Sequence, residues 1–235
     1  HVDAGKTTLS EALLFQSGAI RNLGRVDSKN AFLDNNAIER QRGITIFSKQ
    51  AVLNEKITLI DTPGHVDFSA EMERTLSVLD AAILLINASD GIQSHTKTLW
   101  SLLNQYDIPA VIFVNKMDMP DTNRELLLSK LKEGFSSAII DFGKERQNTE
   151  SFFEEIAGCD DSLMEKYLNG EKISDEDVAE VIKSRKIFPC IFGSALKLSE
   201  TDTLFDLLNS RFTAKETSEN TGCIVYKISK GRQNN

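Results

Sequence analysis

Three short stretches hold residue types at spacings that do chemistry. The first is His1-Val2-Asp3-Ala4-Gly5-Lys6-Thr7-Thr8. Gly5-Lys6-Thr7 is the second half of a phosphate-binding loop of the form G-x-x-x-x-G-K-[ST]. Backbone N–H groups of Asp3 to Thr7 can wrap a β-phosphate at a helix N-terminus. Lys6 supplies a point charge to the β- and γ-phosphates, and the Thr7 hydroxyl can ligate Mg²⁺. The loop's first small residue, and the strand that feeds it, would precede His1. The chain begins without methionine and reads as a fragment.

The second stretch is Asp61-Thr62-Pro63-Gly64-His65, which follows the apolar run Lys56-Ile57-Thr58-Leu59-Ile60. A carboxylate at a strand end can hold a metal. The Pro-Gly turn can aim a backbone N–H at an anion, and His65 can position or polarise a water. The third is Asn115-Lys116-Met117-Asp118, which follows Ala110-Val111-Ile112-Phe113-Val114. Asp118 can accept from guanine N1–H and N2–H. Adenine offers neither donor, and sites built this way discriminate by roughly 10⁴–10⁵. Asn115 can tie this loop to the phosphate loop, and the Lys116 stem can lie over the base. Singly, each stretch has a plainer reading. An Asp followed by Pro-Gly is a common turn, Asn-Lys-x-Asp is a polar surface turn, and a truncated Gly-Lys-Thr can arise by chance. Taken together and in order, they read as one nucleotide site.

The elements that must position these stretches follow from periodicity. Leu9, Ala12, Leu13 and Phe15 share one face of a helix. Residues 18–43 are polar and without period, a long loop of the kind that is functional or mobile. It leads into Arg42-Gly43-Ile44-Thr45-Ile46. Thr45 is either a plain strand threonine or a hydroxyl that completes the Mg²⁺ shell when a γ-phosphate is present. Strands are expected over 47–53 and 56–60 with a tight turn between. Helix 69–79, strand 81–87, helix 93–105 and strand 110–114 follow. Trp100 reads as packing, and His95 as solvated or packed.

From Met119 to about Lys186 the chain turns polar, with helices expected at 124–132, 151–157, 162–168 and 175–183. Residues 133–186 read as an inserted subdomain. A strand returns over 187–192 and leads into Gly193-Ser194-Ala195, where the Ala195 N–H could meet a guanine carbonyl. A helix over 203–208 closes the domain at residue 212. Residues 213–221 read as a polar linker, and 222–235 as the start of a second, β-barrel domain. Strands alternating with helices, with the special residues on loops at strand carboxyl ends, describe an α/β doubly wound, mostly parallel sheet.

The formal charge is −8 over 235 residues, which argues against a general electrostatic nucleic-acid binder. A local basic surface is still compatible with it. Cys159, Cys190 and Cys223 form no metal-spaced pair and read as buried or free thiols in a reducing compartment. The apolar run 81–86 is far too short to span a bilayer, and no signal peptide is evident.

Five segments in order resemble the motifs of the translational GTPases: His1 to Thr8, Arg42 to Ile46, Asp61 to His65, Asn115 to Asp118, and Gly193 to Ala195. Within that superfamily the chain is similar to elongation factor G. It resembles the tetracycline-resistance ribosomal protection proteins more closely, through Leu13 to Ile20, Leu23 to Asp27, Glu39-Arg40-Gln41-Arg42 and a shorter insert. Met119-Pro120-Asp121 and Ala81 depart from the usual pattern.

The resemblance implies a cytoplasmic, monomeric P-loop GTPase domain that binds GTP and GDP and hydrolyses GTP with Mg²⁺ on the ribosome. Thr7 and Thr45 would bind the metal directly, and Asp61 through water. The Gly64 N–H would sense the γ-phosphate. His65 would take the place of a water-orienting Gln, brought into position by ribosomal RNA, as a base or as a positioning group. Asp3 would hold a monovalent cation. Asp3, Ala4, Gly5, Lys6, Thr7, Thr8, Gly64, Asn115, Lys116, Asp118, Ser194 and Ala195 would form the nucleotide site. Two other roles fit the same motifs: translocation by elongation factor G itself, or a guanine-nucleotide switch that hydrolyses little. Thr45 and His65 argue against the switch.

Overall fold

The strand Ala110–Asn115 is buried at every position and sets the layering of the molecule. Val111 and Phe113 join one core cluster, while Ile112 and Val114 join a second. A strand apolar on both faces belongs in a parallel sheet with helices on both sides.

The computed structural model describes residues 3–24, 48–63 and 69–212. Among these, in chain order, are α1 (Lys6–Gln16), β1 (Lys49–Val52), β2 (Thr58–Asp61), α2 (Ser69–Leu76), β3 (Ala82–Asn87), α3 (Ser94–Gln105), β4 (Ala110–Asn115) and α4 (Arg124–Gly134). Then come β5 (Ile139–Asp141), α5 (Glu150–Ala157), α6 (Asp161–Leu168), α7 (Asp175–Lys183), β6 (Phe188–Phe192) and α8 (Thr201–Arg211). Four strands form one sheet in the order β3-β4-β6-β5, with every neighbouring pair parallel. β1 and β2 form a separate antiparallel pair, with Lys49 opposite Asp61.

One face of the sheet is covered by apolar residues of α1, α5, α6, α7 and α8, including Leu13, Phe152, Leu163, Ile182 and Leu204. The other face is covered by α2, α3 and α4, through Met72, Leu76, Trp100, Leu103, Leu127 and Leu131. The doubly wound α/β reading therefore holds. Trp100 packs as expected, 4.9 Å from the Phe135 ring centroid and 4.8 Å from that of Phe188. A cavity of about 480 Å³ separates β2 from β3, walled by Leu9, Leu13, Met72, Leu76 and Leu103. Lys6, Asp61, Thr62 and Pro63 line it as well.

The stretch 133–186, expected as an inserted subdomain, contributes β5 to the main sheet. Ile139-Ile140-Asp141 pairs with Phe188-Pro189-Cys190. Three residues are too few to show a strand period, so only that pairing defines the strand. The helices α5, α6 and α7 start at the side-chain caps Thr149, Asp160 and Ser174, and they share a core cluster with α1 and α8. Cys159 and Cys190 are free thiols, and burial raises the pKa of both. No helix among the described residues is long and apolar enough to cross a membrane. Residues 25–47, which hold most of the loop expected over 18–43 and the segment with Thr45, lie outside the described residues, as do Cys223, the linker expected over 213–221 and the β-barrel domain start expected over 222–235.

Asp160 gives a test of how this side of the fold is held. Its buried carboxylate caps α6, accepting from the Ser162 N–H at 3.0 Å and the Leu163 N–H at 3.1 Å. It also takes the Lys186 ammonium and the Ser162 hydroxyl, which hold its pKa well below the usual carboxylate range. A carboxyl depressed in the folded state stabilises above the unfolded pKa of about 3.9 and loses that contribution as pH falls further. Asp160→Ala should therefore cost about 1–2 kcal/mol at neutral pH. In urea melts the gap to wild type should narrow towards pH 2; a gap that does not change with pH would remove the ionic contribution.

Candidate functional site

The carboxyl edge of the parallel strands gathers the residues with chemical potential. Asn87 of β3 stands beside Asn115 of β4, and Val114 beside Phe192 of β6. The loops after β4 and β6 therefore leave the sheet side by side. The loop ahead of α1 comes to the same place, because the Asn115 side chain holds it there. Asn115 Nδ2 donates to the Ala4 carbonyl at 2.8 Å, and Asn115 Oδ1 accepts the Ala195 N–H at 2.8 Å. All three residues are buried.

The phosphate side is built from backbone shape. Asp3 at φ 57° and Gly5 at φ 90° flank Ala4, a left-handed alternation that turns successive N–H groups into a concave nest. Gly5 is required twice over. It adopts a positive φ, and a Cβ there would lie 2.5 Å from Asn115 Nδ2. Gly5 caps α1 without a side chain, and no acidic residue occupies the first turn, so the positive end of the helix faces the loop without a carboxylate of its own.

Lys6 and Thr7 are half-buried at the head of α1, with Thr8 beside them. Burial pushes the Lys6 amine below its ordinary pKa, and the charges of Asp61 and Asp3 partly oppose that. Asp61 is the last residue of β2 and is buried. It accepts the Thr7 hydroxyl across 3.4 Å. One hydroxyl and one carboxylate at this spacing suit Mg²⁺, which takes one or two protein oxygens and keeps phosphates and waters for the rest. Among the described residues no cluster of three His, Cys, Asp or Glu forms an all-protein cage.

On the base side, Lys116 is left-handed at φ 66°, which swings Met117 and Asp118 off the strand direction. The Met117 N–H donates to the Gly193 carbonyl at 3.0 Å, and the Gly193 N–H to the Val114 carbonyl at 2.9 Å. The Thr122 hydroxyl donates to the carbonyls of Met117 and Met119, each at 3.1 Å. Asp118 is exposed. Its carboxylate stands on a loop that is fixed internally and open to solvent. Ser194 is buried and pairs with Ser199 through backbone bonds in both directions.

The structure thus brings Asp3 to Thr8, Asp61, Asn115 to Asp118, and Ser194 to Ala195 to one edge. Thr45, Gly64 and His65 lie outside the described residues. One detail differs from the sequence reading. The Ala195 N–H, expected to face a guanine carbonyl, is donated to Asn115. A single Asn there completes its hydrogen bonding through the nearest backbone donor, and residue order cannot show that closeness. Sequence reasoning also passed over Arg124 and Asp141 at the same edge. A carboxylate ending a short apolar strand, as Asp61 does, was the available signal.

Fold and loops together define a nucleotide-binding α/β domain whose phosphate loop and base loop meet at one side chain. The chain belongs to the elongation factor Tu GTP-binding domain family, whose model matches residues 1–214. It is 39% identical over 248 residues to Tetracycline resistance protein TetM from transposon Tn916 of Enterococcus faecalis, covering 97% of this chain and 38% of that protein. It is 34% identical over 259 residues to Tetracycline resistance protein TetP of Clostridium perfringens, covering 100% of this chain and 40% of that one. A crystal structure of a protein from Thermus thermophilus shares the fold with a TM-score of 0.80 at 23% identity, over 91% of this chain and 39% of the other. The chain spans about two fifths of the length of the curated relatives it matches. As a GTP-binding domain of this family, it is a translational GTPase domain that binds guanine nucleotide.

Asn115→Ala would leave the Ala4 carbonyl and the Ala195 N–H buried without partners, at about 1–3 kcal/mol each. We expect a loss of about 2–5 kcal/mol in chemical denaturation. Asn115→Asp should recover part of it, keeping the acceptor for Ala195 and losing the donor to Ala4. A loss below about 0.5 kcal/mol, the usual range of a neutral surface change, would show that the bridge is not made.

Proposed function

We propose that this chain is the GTP-hydrolysing domain of a ribosomal protection protein. Its ribosome-stimulated hydrolysis of GTP would drive release of tetracycline from the ribosome. The observation that carries the nucleotide half of this reading is the Asn115 bridge, which sets a phosphate nest and an Asp118 loop at a fixed relation. The likeness to tetracycline resistance proteins over 97% of the chain supports the antibiotic half. The protein would act as a cytoplasmic monomer on the ribosome.

In this mechanism the N–H groups from Asp3 to Thr7 take the β-phosphate, and Lys6 bridges the β- and γ-phosphates. A polyphosphate beside Lys6 favours the charged amine and so reverses the effect of burial. Thr7 and Thr45 would ligate Mg²⁺, and Asp61 would hold one of its waters; the metal, when bound, neutralises charge on the phosphates. Asp3 would add a monovalent cation site.

The Gly64 N–H reports the γ-phosphate, and His65 orients the attacking water. Asp118 reads guanine N1–H and N2–H, Lys116 covers the base, and the Ser194–Ala195 turn walls it. With Ala195 donating to Asn115, the turn acts on the base chiefly by shape. Hydrolysis would be slow without the ribosome, whose RNA would bring His65 into position.

Asp118→Asn should weaken GTP by orders of magnitude and favour xanthosine triphosphate; equal GTP affinity by titration would sink the base-reading role. In His65→Ala, GTP binding should survive while ribosome-stimulated phosphate release drops by about 10²–10⁴. A protein carrying this domain should restore translation in tetracycline without supporting translocation. Translocation activity in place of protection would move the reading to elongation factor G.

A further inference from the structure

The base loop leaves the sheet at Asn115 and re-enters regular structure at Arg124, the first residue of α4. Asn115 holds the near end. The far end has its own anchor. Arg124 Nε donates to Asp141 Oδ2 at 2.7 Å and Nη2 to Asp141 Oδ1 at 2.6 Å, a two-pronged ion pair. Such pairs fix direction as well as distance. Asp141 ends β5, its side chain is only 4% exposed, and it also accepts the Gly143 N–H at 2.9 Å.

The guanidinium lies 5.3 Å from the Phe192 ring centroid. Phe192 ends β6 and precedes Gly193, whose carbonyl holds Met117. One side chain therefore touches the ends of two strands around the loop that carries Asp118. The space is kept for it. A Cβ on Gly143 would fall 2.1 Å from Arg124 Nη2.

An exposed ion pair contributes little, and a buried carboxylate costs stability unless it is paired with good geometry. Here the buried partner is placed where direction matters to the loop. We propose that Arg124 and Asp141 are positioning residues for base recognition. The pair sets where the Asp118 carboxylate stands, and so sets the preference for guanine over hypoxanthine. This rests on the reading that Asp118 recognises the base. Hypoxanthine keeps N1–H and lacks the N2 amino group. A carboxylate held in place makes both bonds to guanine, whereas a displaced one loses the second and with it the difference between the two bases.

Arg124→Met keeps the apolar stem over Phe192 and removes the fork. Asp141→Asn keeps the shape and the bond from Gly143 and removes the charge. Binding of GDP and of inosine diphosphate is measured for each by titration, with turnover at saturating GTP. We expect the affinity ratio of GDP to inosine diphosphate to fall by about tenfold, the worth of one hydrogen bond to a charged group. Turnover at saturation should stay within about twofold, since tight binding of the base end acts on ground state and transition state alike. Arg124→Lys, a point charge without the fork, should fall between, and it gives the same comparison if Arg124→Met does not fold.

Folded variants that keep the wild-type ratio, with or without a lower melting temperature, would overturn the proposal. A wild-type protein without any preference for GDP would instead overturn the Asp118 reading.

Discussion

The carboxyl edge of this molecule hangs on one amide. Asn115 has a donor and an acceptor on a single planar group. It spends the donor on Ala4 and the acceptor on Ala195. The phosphate loop, the base loop and the loop after β6 are therefore held by one residue, each within hydrogen-bonding distance of it. The approach is so close that the neighbouring loop residue must be Gly5. In a buried setting such a network is strong when complete and costly when broken, which makes these loops one rigid piece.

Electrostatics then work around that piece. The chain is acidic overall, yet its phosphate nest joins a left-handed turn, a bare helix N-terminus and Lys6. Asp3 and Asp61 sit near the same amine. Burial disfavours the Lys6 charge, and the two carboxylates partly oppose that.

The layers that carry the edge were largely legible. The unbroken apolar run of β4 implies a buried parallel strand, and α5 and α7 fall at Glu150–Ala157 and Asp175–Lys183, where helices are expected over 151–157 and 175–183. α8 runs from Thr201 to Arg211, longer than its apolar core over 203–208 suggests, because its ends, Thr201-Asp202 and Asn209-Ser210-Arg211, are polar and carry no apolar period. β5 was invisible as a strand. Its three residues gain that identity only by pairing with β6. The stretch around it is polar in sequence, and its buried faces meet the same core as α1 and α8.

Residue order suggests a chemistry for each loop, because a phosphate nest, a strand-end carboxylate and an Asn-Lys-x-Asp turn depend on neighbours in the chain. It was enough for the alternation of strand and helix, which follows from side-chain period. The partners across the sheet were beyond its reach. The donation of Ala195 to Asn115, the contact of Thr7 with Asp61 and the fork of Arg124 on Asp141 join residues separated by 80, 54 and 17 positions. Hydrogen bonds act over about 3 Å, and only the tertiary packing brings those residues that near.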